Sequence, residues 1–311
     1  MKKKSSKRPI FLMIAIAILC IPLIWLANNY FVLERAFDNM VDDDETNIAI
    51  AASEQEGFSS DKRQTIRPFS VLLLGVDERE HDVGRSDTMI VLTVNPALGT
   101  MKMLSIPRDT RAEIVGHGTV EKMNHAYAHG GVDMARATVE NFLQMPIDFY
   151  VQVNMEGFLH IIDTFDGVTI DNDLALTYKE YNFPEGEITL TGEEALIYSR
   201  IRYEDPRGDF GRQTRQRLLL QAILAEAQQP ANVLLKMDNV ISVLGENIRM
   251  NFTKEQLMTL LMHYPSFEKD IEQIQLQNGT GQTIDGLWYY IVDEDELFDV
   301  QQTLQQHLDA T

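Results

Sequence analysis

Phe69-Ser-Val-Leu-Leu-Leu-Gly75 is short, apolar and closed by a glycine, as expected of a buried strand. Two similar runs follow it, Thr88-Met-Ile-Val-Leu-Thr-Val-Asn95 and Met101-Lys-Met-Leu-Ser-Ile106, with a Pro96-Ala-Leu-Gly99 turn between them. After the Gly130-Gly131 break, Asp133 is positioned to cap a helix reaching about Gln144. The pattern then predicts a strand near Phe149–Val153, a helix near Met155–Thr164 and a strand near Val168–Ile170. Helices are expected over Gly192–Ser199 and from Gly211 to about Gln228. Thr253-Lys-Glu-Gln256 fits a capping box opening a helix that ends near Tyr264. Strands at about 271–276 and 287–292 precede a last helix, opened by Asp293 with Glu296 three residues on. Strands and helices mix without a repeat of ~20–50 residues, so one α/β domain from about 67 to 311 is expected.

Upstream of this domain the chain changes character. Residues 2–8 hold five cations and no acid, and Ile10 to Ala27 are eighteen uncharged, mostly apolar residues. At ~1.5 Å per helical residue, such a run with its flanks just spans a bilayer core. Leu19 rather than a small residue precedes Cys20, and no small-x-small cleavage pattern follows the run, so an uncleaved signal anchor is expected. The basic flank then stays in the cytoplasm. The organisation predicted is a cytoplasmic tail over 1–9, a transmembrane anchor over 10–28, an acidic extracellular tether over 29–66 and an extracellular domain over 67–311. Asp42-Asp43-Asp44-Glu45 lies in that tether.

The 311 residues carry 27 Lys plus Arg against 47 Asp plus Glu, a net charge of −20. Such a chain repels nucleic acid unless its cations are concentrated, and the topology places the domain away from DNA. The single cysteine excludes an intramolecular disulfide framework and a Cys-based zinc site.

Polar residues gather where the first strands end. Gly75-Val-Asp77-Glu-Arg79 follows the first, Gly84-Arg85-Ser-Asp87-Thr88 opens the second, and Ile106-Pro-Arg108-Asp109-Thr110 follows the third. If the strands are neighbours these loops converge on one sheet rim, where α/β proteins commonly bind ligands. Asp77 and Asp87 offer hard oxygen ligands suited to Mg²⁺; the structural alternative is that these acids cap turns or pair with nearby arginines.

A second cluster is more telling. Between Arg200 and Arg217 lie six arginines and no lysine. The planar guanidinium grips phosphate oxygens bidentately, so this selection suits an oriented anion. Arg212, Arg215 and Gln216 stand at i, i+3 and i+4 near a helix N-terminus, whereas Arg200 and Arg202 share a side only in extended chain. The alternative is a solvated arginine face balanced by Glu204, Asp205 and Asp209, which suits Arg207 and Arg217. His125 and His129 are spaced as in zinc peptidases, but Ala126 replaces the general-base Glu, so surface or packing histidines are expected there. No G-x-S-x-G, Walker A or G-x-G-x-x-G sequence is present.

Taken together, Leu72-Leu-Leu-Gly-Val-Asp77, Arg85-Ser-Asp-Thr88, Ser105-Ile-Pro-Arg-Asp109, Lys122-Met-Asn-His-Ala-Tyr127, Tyr198-Ser-Arg-Ile-Arg202 and Asp209-Phe-Gly-Arg-Gln-Thr-Arg-Gln216 resemble the LytR-CpsA-Psr family of membrane-anchored cell-wall assembly proteins. The resemblance extends over roughly 67–311, and the anchor and tether fit it. It implies a single mixed-sheet α-β-α domain after the membrane helix, in the cell membrane of a Gram-positive bacterium. It also implies a phosphotransferase moving a glycopolymer, such as teichoic acid or capsule, from a polyprenyl-pyrophosphate carrier to a muramic acid hydroxyl of peptidoglycan. Mg²⁺, or Mn²⁺ in its place, is the implied cofactor.

Carried over residue by residue, Asp77 and Asp87 become metal-side carboxylates. Arg85, Arg108, Arg200, Arg202 and Arg212 become phosphate clamps, with Asp87, Arg108, Arg200, Arg202 and Arg212 the catalytic group. Gln216 becomes a pyrophosphate contact and Lys122, Arg79 and Arg215 wall residues; in the alternative assignment Asp87, or a neighbouring acid, is instead the base on the acceptor hydroxyl. The chemistry agrees independently, since phosphoryl transfer needs mainly positioning and charge stabilisation. Competing readings are a pyrophosphatase using water at the same site, a non-catalytic binder of lipid-linked polymer, and a transcriptional regulator, which the topology disfavours.

Overall fold

Along β1 (Phe69–Val76) alternate side chains enter two different apolar layers, and this period of two organises the molecule. Phe69 and Val71 face one layer, and Leu72, Leu74 and Val76 the other. The structure is a computed structural model that describes residues 67–77, 84–228, 247–253, 256 and 271–310. Anchor, tether and Arg79 lie outside the described residues, and no helix among these is long and apolar enough to cross a membrane.

β2 (Ser86–Asn95) runs antiparallel to β1, and β3 (Thr100–Ser105) antiparallel to β2, as the short turn at 96–99 requires. A hairpin of β4 (Arg111–Ile114) and β5 (Thr119–Lys122) leads to α1 (His125–Leu143), and β6 (Phe149–Asn154) returns parallel to β1. Then come α2 (Met155–Thr164), β7 (Val168–Asn172), β8 (Leu176–Tyr178), β9 (Tyr181–Phe183), β10 (Gly186–Leu190), α3 (Gly192–Arg200) and α4 (Asp209–Gln228). β11 (Ile248–Met250), β12 (Ile271–Gln275), β13 (Thr280–Ile284), β14 (Leu287–Ile291) and α5 (Glu294–Asp309) complete the described chain. Among the described residues the central sheet has six strands, ordered β11-β6-β1-β2-β3-β12, with β1–β6 and β3–β12 parallel and the other pairs antiparallel.

One sheet face packs Leu72, Leu74 and Val76 against Ala135, Val139 and Leu143 of α1 and Val300 and Leu304 of α5. The other packs Phe69, Val71, Ile90 and Leu92 against Phe252 and, partly buried, Leu220 of α4. A third apolar cluster joins α2, α3 and β7 through Ile162, Ala195, Tyr198 and Val168. The expected mixed sheet between helical layers is present.

Helix starts are well explained by local chemistry. Asn154 accepts from Gly157 N at 2.7 Å, Asp293 from Glu296 N at 2.9 Å, and Thr191 with Glu194 forms a reciprocal capping box at α3. Thr253 and Gln256 also exchange capping hydrogen bonds; the helix predicted to end near Tyr264 lies outside the described residues. Two starts differ from expectation. α1 begins at His125, and its Gly130-Gly131 pair interrupts it, Gly131 standing at φ 63°. The predicted break is therefore real, but a helical turn precedes it. α4 begins at Asp209, two residues early.

Candidate active site

The ends of β1 and β3 and the start of β2 share one rim, as their antiparallel order dictates. A bulge between Gly75 and Val76 shifts the register there, and Asp77 N donates to Arg85 O at 3.2 Å. A Cβ on Gly75 would sit 3.0 Å from Thr88 Cβ, so a glycine lets the strands stay close beside the rim. Arg108 donates from Nη1 to Asp87 Oδ1 at 2.8 Å. Burial opposes the Arg108 charge, but the neighbouring carboxylates, Asp87 foremost, outweigh it and raise its pKa. Asp109, largely buried, receives Lys122 Nζ at 2.7 Å and stands 3.9 Å from both Arg108 Nε and Arg202 Nη2.

From the other side come the end of α3 and the start of α4. Arg200 is the last residue of α3, and Ile201, at φ −56° and ψ 130°, is extended, which carries Arg202 to the same wall as Arg200. Arg200 Nη2 lies 3.6 Å from Asp77 Oδ1, and Arg202 Nε 3.8 Å from Asp209 Oδ1. Arg212 Nη2 is 2.7 Å from the same Asp209 oxygen. Arg212 is 6% exposed, and burial lowers its pKa. Its Nε is buried without a hydrogen-bond partner among the described residues, an orphan donor of the kind an anion satisfies.

Beneath this charged rim lies a cavity of about 650 Å³. Arg108, Arg200, Arg202, Arg212, Gln216 and Asp87 line it together with apolar side chains that include Leu73, Ile90, Val151, Phe158, Ile161 and Ile223. The sequence had no means of locating it, because its wall comes from β1, β2, β6, α2 and α4 at once.

Other expected site residues are placed elsewhere. Arg215 is a correction to the reading of it as a wall residue. It is fully buried, pairs with Asp205, donates from Nε to Tyr198 O at 2.9 Å and from Nη2 to Ile201 O, and its guanidinium lies over the Tyr198 ring. At ~100° per residue, Gln216 falls ~40° to one side of Arg212 and Arg215 ~60° to the other, and only Gln216 stays on the cavity. A Cβ on Gly211 would overlap the Asp205 carboxylate, so glycine is required for this approach. Arg217 is not a solvated residue either: it is buried, bonded to Gln273, Ser105 and Thr214, and burial pushes its pKa down to about 10. Arg207 does pair with acids, Asp173 and Asp205. Lys122 stands behind Asp109 and positions it, while Arg85 is exposed at the start of β2 and Arg79 lies outside the described residues.

In the sequence Asp109 stands only within a quoted motif, and Asp209 reads only as a charge balancing the arginines, not as part of the site. They are the carboxylates that space the arginines apart, and the recurring Arg-Asp adjacency was the available signal. Asp77 and Asp87 fit a divalent cation in the chemistry of their donors. Both are carboxylates at adjacent strand ends, with side chains 28% and 30% exposed, as expected where two acids and a ligand's phosphates share Mg²⁺.

The fold is an α/β domain in which guanidinium groups and apolar side chains line the same cavity, a lining whose chemistry suits an amphipathic anion. The chain belongs to the LytR_cpsA_psr family, whose model matches residues 34–306. It is 46% identical over 242 residues to the polyisoprenyl-teichoic acid–peptidoglycan teichoic acid transferase TagU of Bacillus subtilis strain 168, covering 78% of each chain. The crystal structure of B. subtilis TagU superposes with a TM-score of 0.65 at 42% identity, covering 79% of this chain and 98% of that one. TagT bound to LI-WTA superposes with a TM-score of 0.66 at 32% identity, covering 78% and 92%.

Proposed function

We propose that this protein transfers a teichoic acid or related glycopolymer from a polyprenyl-pyrophosphate carrier to peptidoglycan. The single observation that carries the reading is the junction of Arg108, Arg200, Arg202 and Arg212 with a largely apolar cavity, since a lipid diphosphate needs both. The relatives named as teichoic acid transferases support it.

The arginines each face a carboxylate, so the rim is a balanced set of charges. An entering diphosphate takes the guanidinium groups, which leaves Asp77 and Asp87 to a cation. Mg²⁺ bound by Asp77 and Asp87 would neutralise charge on the diphosphate and its leaving oxygen. The acceptor hydroxyl oxygen attacks the polymer-side phosphorus, the pyrophosphate P–O bond breaks, and polyprenyl phosphate leaves. With Asp87 given to the cation, a neighbouring acid receives the hydroxyl proton. Arg108, Arg202 and Arg212 stabilise the departing phosphate, and Arg200 and Gln216 hold the diphosphate in line. Residues 10–28 anchor the enzyme in the cell membrane with the catalytic domain outside, where lipid-linked donor and wall meet.

The test is product analysis with the purified full chain, lipid-linked donor and peptidoglycan. Wall-linked polymer through a phosphodiester is expected, together with loss of both activity and Mg²⁺ response in Asp77→Asn/Asp87→Asn. Free phosphorylated polymer alone, whatever the acceptor, means hydrolysis and overturns the proposal.

A further inference from the structure

Away from the cavity, three imidazoles gather around one carboxylate. Glu121 precedes Lys122 on β5, so alternation directs it away from the Lys122–Asp109 contact. Gly116 and Gly118, at φ 83° and 76°, build the β4–β5 turn that carries His117 between them. His117 Nδ1 lies 3.9 Å from Glu121 Oε1. His125 Nδ1, at the first position of α1, is 2.8 Å from Glu121 Oε2, and His129 Nε2, one turn on, is 3.2 Å from the same oxygen. The His117 and His129 rings stack with centroids 3.9 Å apart.

One imidazole N–H is enough to support an exposed carboxylate, and neutral imidazole has one donor and one lone pair. His117 Nδ1 meets Thr119 Oγ1 at 2.9 Å, and a metal takes the lone pair of each imidazole in the tautomer that turns its N–H away from the carboxylate. The ligand atoms of His117, Glu121 and His129 all lie within 4.8 Å of one another. Zinc bonds of ~2.0–2.1 Å place tetrahedral ligand atoms about 3.4 Å apart. The three side chains, between 26% and 38% exposed, reach that spacing if the stacked rings tilt open.

We propose that His117, Glu121 and His129 form a binding site for a divalent transition metal, Zn²⁺ foremost, with His125 bonded to Glu121 as its outer support and water in the fourth position. Two imidazoles and one carboxylate are a nitrogen-rich set that suits Zn²⁺ rather than Mg²⁺ or Ca²⁺. The ion ties the β4–β5 hairpin to α1 one turn past its start, ahead of the Gly130-Gly131 interruption. The proposal differs from the sequence expectation for His125 and His129 because neither His117 nor Glu121 is recognisable as their neighbour from spacing.

The experiment titrates Zn²⁺, with millimolar Mg²⁺ present, into the full chain purified in detergent, and compares wild type with Glu121→Gln and with His117→Ala/His129→Ala. One equivalent bound by wild type is expected. Each variant should weaken it by more than the ~10–100-fold that loss of an outer-shell partner costs. Co²⁺ in place of Zn²⁺ should give the intense visible bands of a four-coordinate site in wild type alone, and Asp77→Asn/Asp87→Asn should retain the equivalent. Equal zinc affinity in wild type and the histidine variant, or loss of the equivalent with Asp77 and Asp87 instead, overturns the proposal. Circular dichroism of each variant separates lost ligation from lost folding.

Discussion

Arg108 and Asp87 meet in the wall of the cavity, Nη1 to Oδ1 at 2.8 Å, with side chains 24% and 30% exposed. A pair this open to water contributes ~1 kcal/mol or less to stability. What it does is hold a guanidinium and a carboxylate at fixed places on the rim. The other rim arginines obey the same rule, each within 4 Å of an acid.

Arg202→Lys keeps the charge and removes the fork. Because Arg202 reaches Asp109 and Asp209 from different nitrogens, a point charge does not replace it. Turnover with lipid-linked donor should fall about 10²–10³-fold, the loss typical of one transition-state donor, with the melting temperature nearly unchanged. Steady-state assays beside a thermal melt check both halves.

Ile161→Trp narrows the apolar cavity from the α2 side without touching the rim. KM should rise for donors with long prenyl chains and stay near wild type for short ones. A uniform change across chain lengths would place the hydrocarbon elsewhere.

Asp205 and Arg215 are the buried counterpart of the rim pairs, both side chains fully enclosed. Asp205→Ala leaves the Arg215 charge without its partner and should cost about 3–5 kcal/mol in denaturant unfolding. The double replacement Asp205→Leu/Arg215→Met should recover much of that loss. For Asp205, burial favours the neutral acid, but the Arg207 and Arg215 hydrogen bonds outweigh it and depress the pKa. Its stabilisation is therefore present above the unfolded carboxylate pKa and lost as pH falls through the folded one.

How much of this was legible in the sequence differs by element, for physical reasons. β1 to β3 and the helices after Asn154 and Asp293 were readable because an apolar run or a cap declares them locally. β4 and β5, four residues each, and β8 and β9, three each, are too short to carry a period. β13, Thr280–Ile284, is polar and mostly exposed, and is a strand only because β14 pairs with it. At the site, residue types pointed to the arginine cluster, and the order of the strands explains the rim it shares with Asp77 and Asp87. Helical phase decided that Arg212 and Gln216 reach the cavity while Arg215 does not, and this depends on how α4 is rotated by its packing.

His307 links α5 to β2 and β3, Nδ1 to Thr93 Oγ1 at 2.8 Å and Nε2 to Thr100 Oγ1 at 2.9 Å. Burial lowers its pKa below the ordinary 6.5, so the unfolded chain binds the proton more readily. Stability from this group is complete above 6.5 and declines as pH falls toward the folded pKa. His307→Gln should be less stable at neutral pH and should lose less on acidification than wild type. Urea titrations at a series of pH values measure the difference in slope.

The most direct measurement is calorimetric binding of a long-chain prenyl diphosphate to the full chain in detergent, with Mg²⁺, for wild type, Arg212→Ala and Ile161→Trp. Arginine rim and apolar cavity together predict that each replacement weakens binding at least about tenfold, the ~1.4 kcal/mol of one lost contact. Inorganic pyrophosphate, which has no hydrocarbon, should respond to Arg212→Ala alone. Unchanged prenyl diphosphate affinity in both variants would contradict the account.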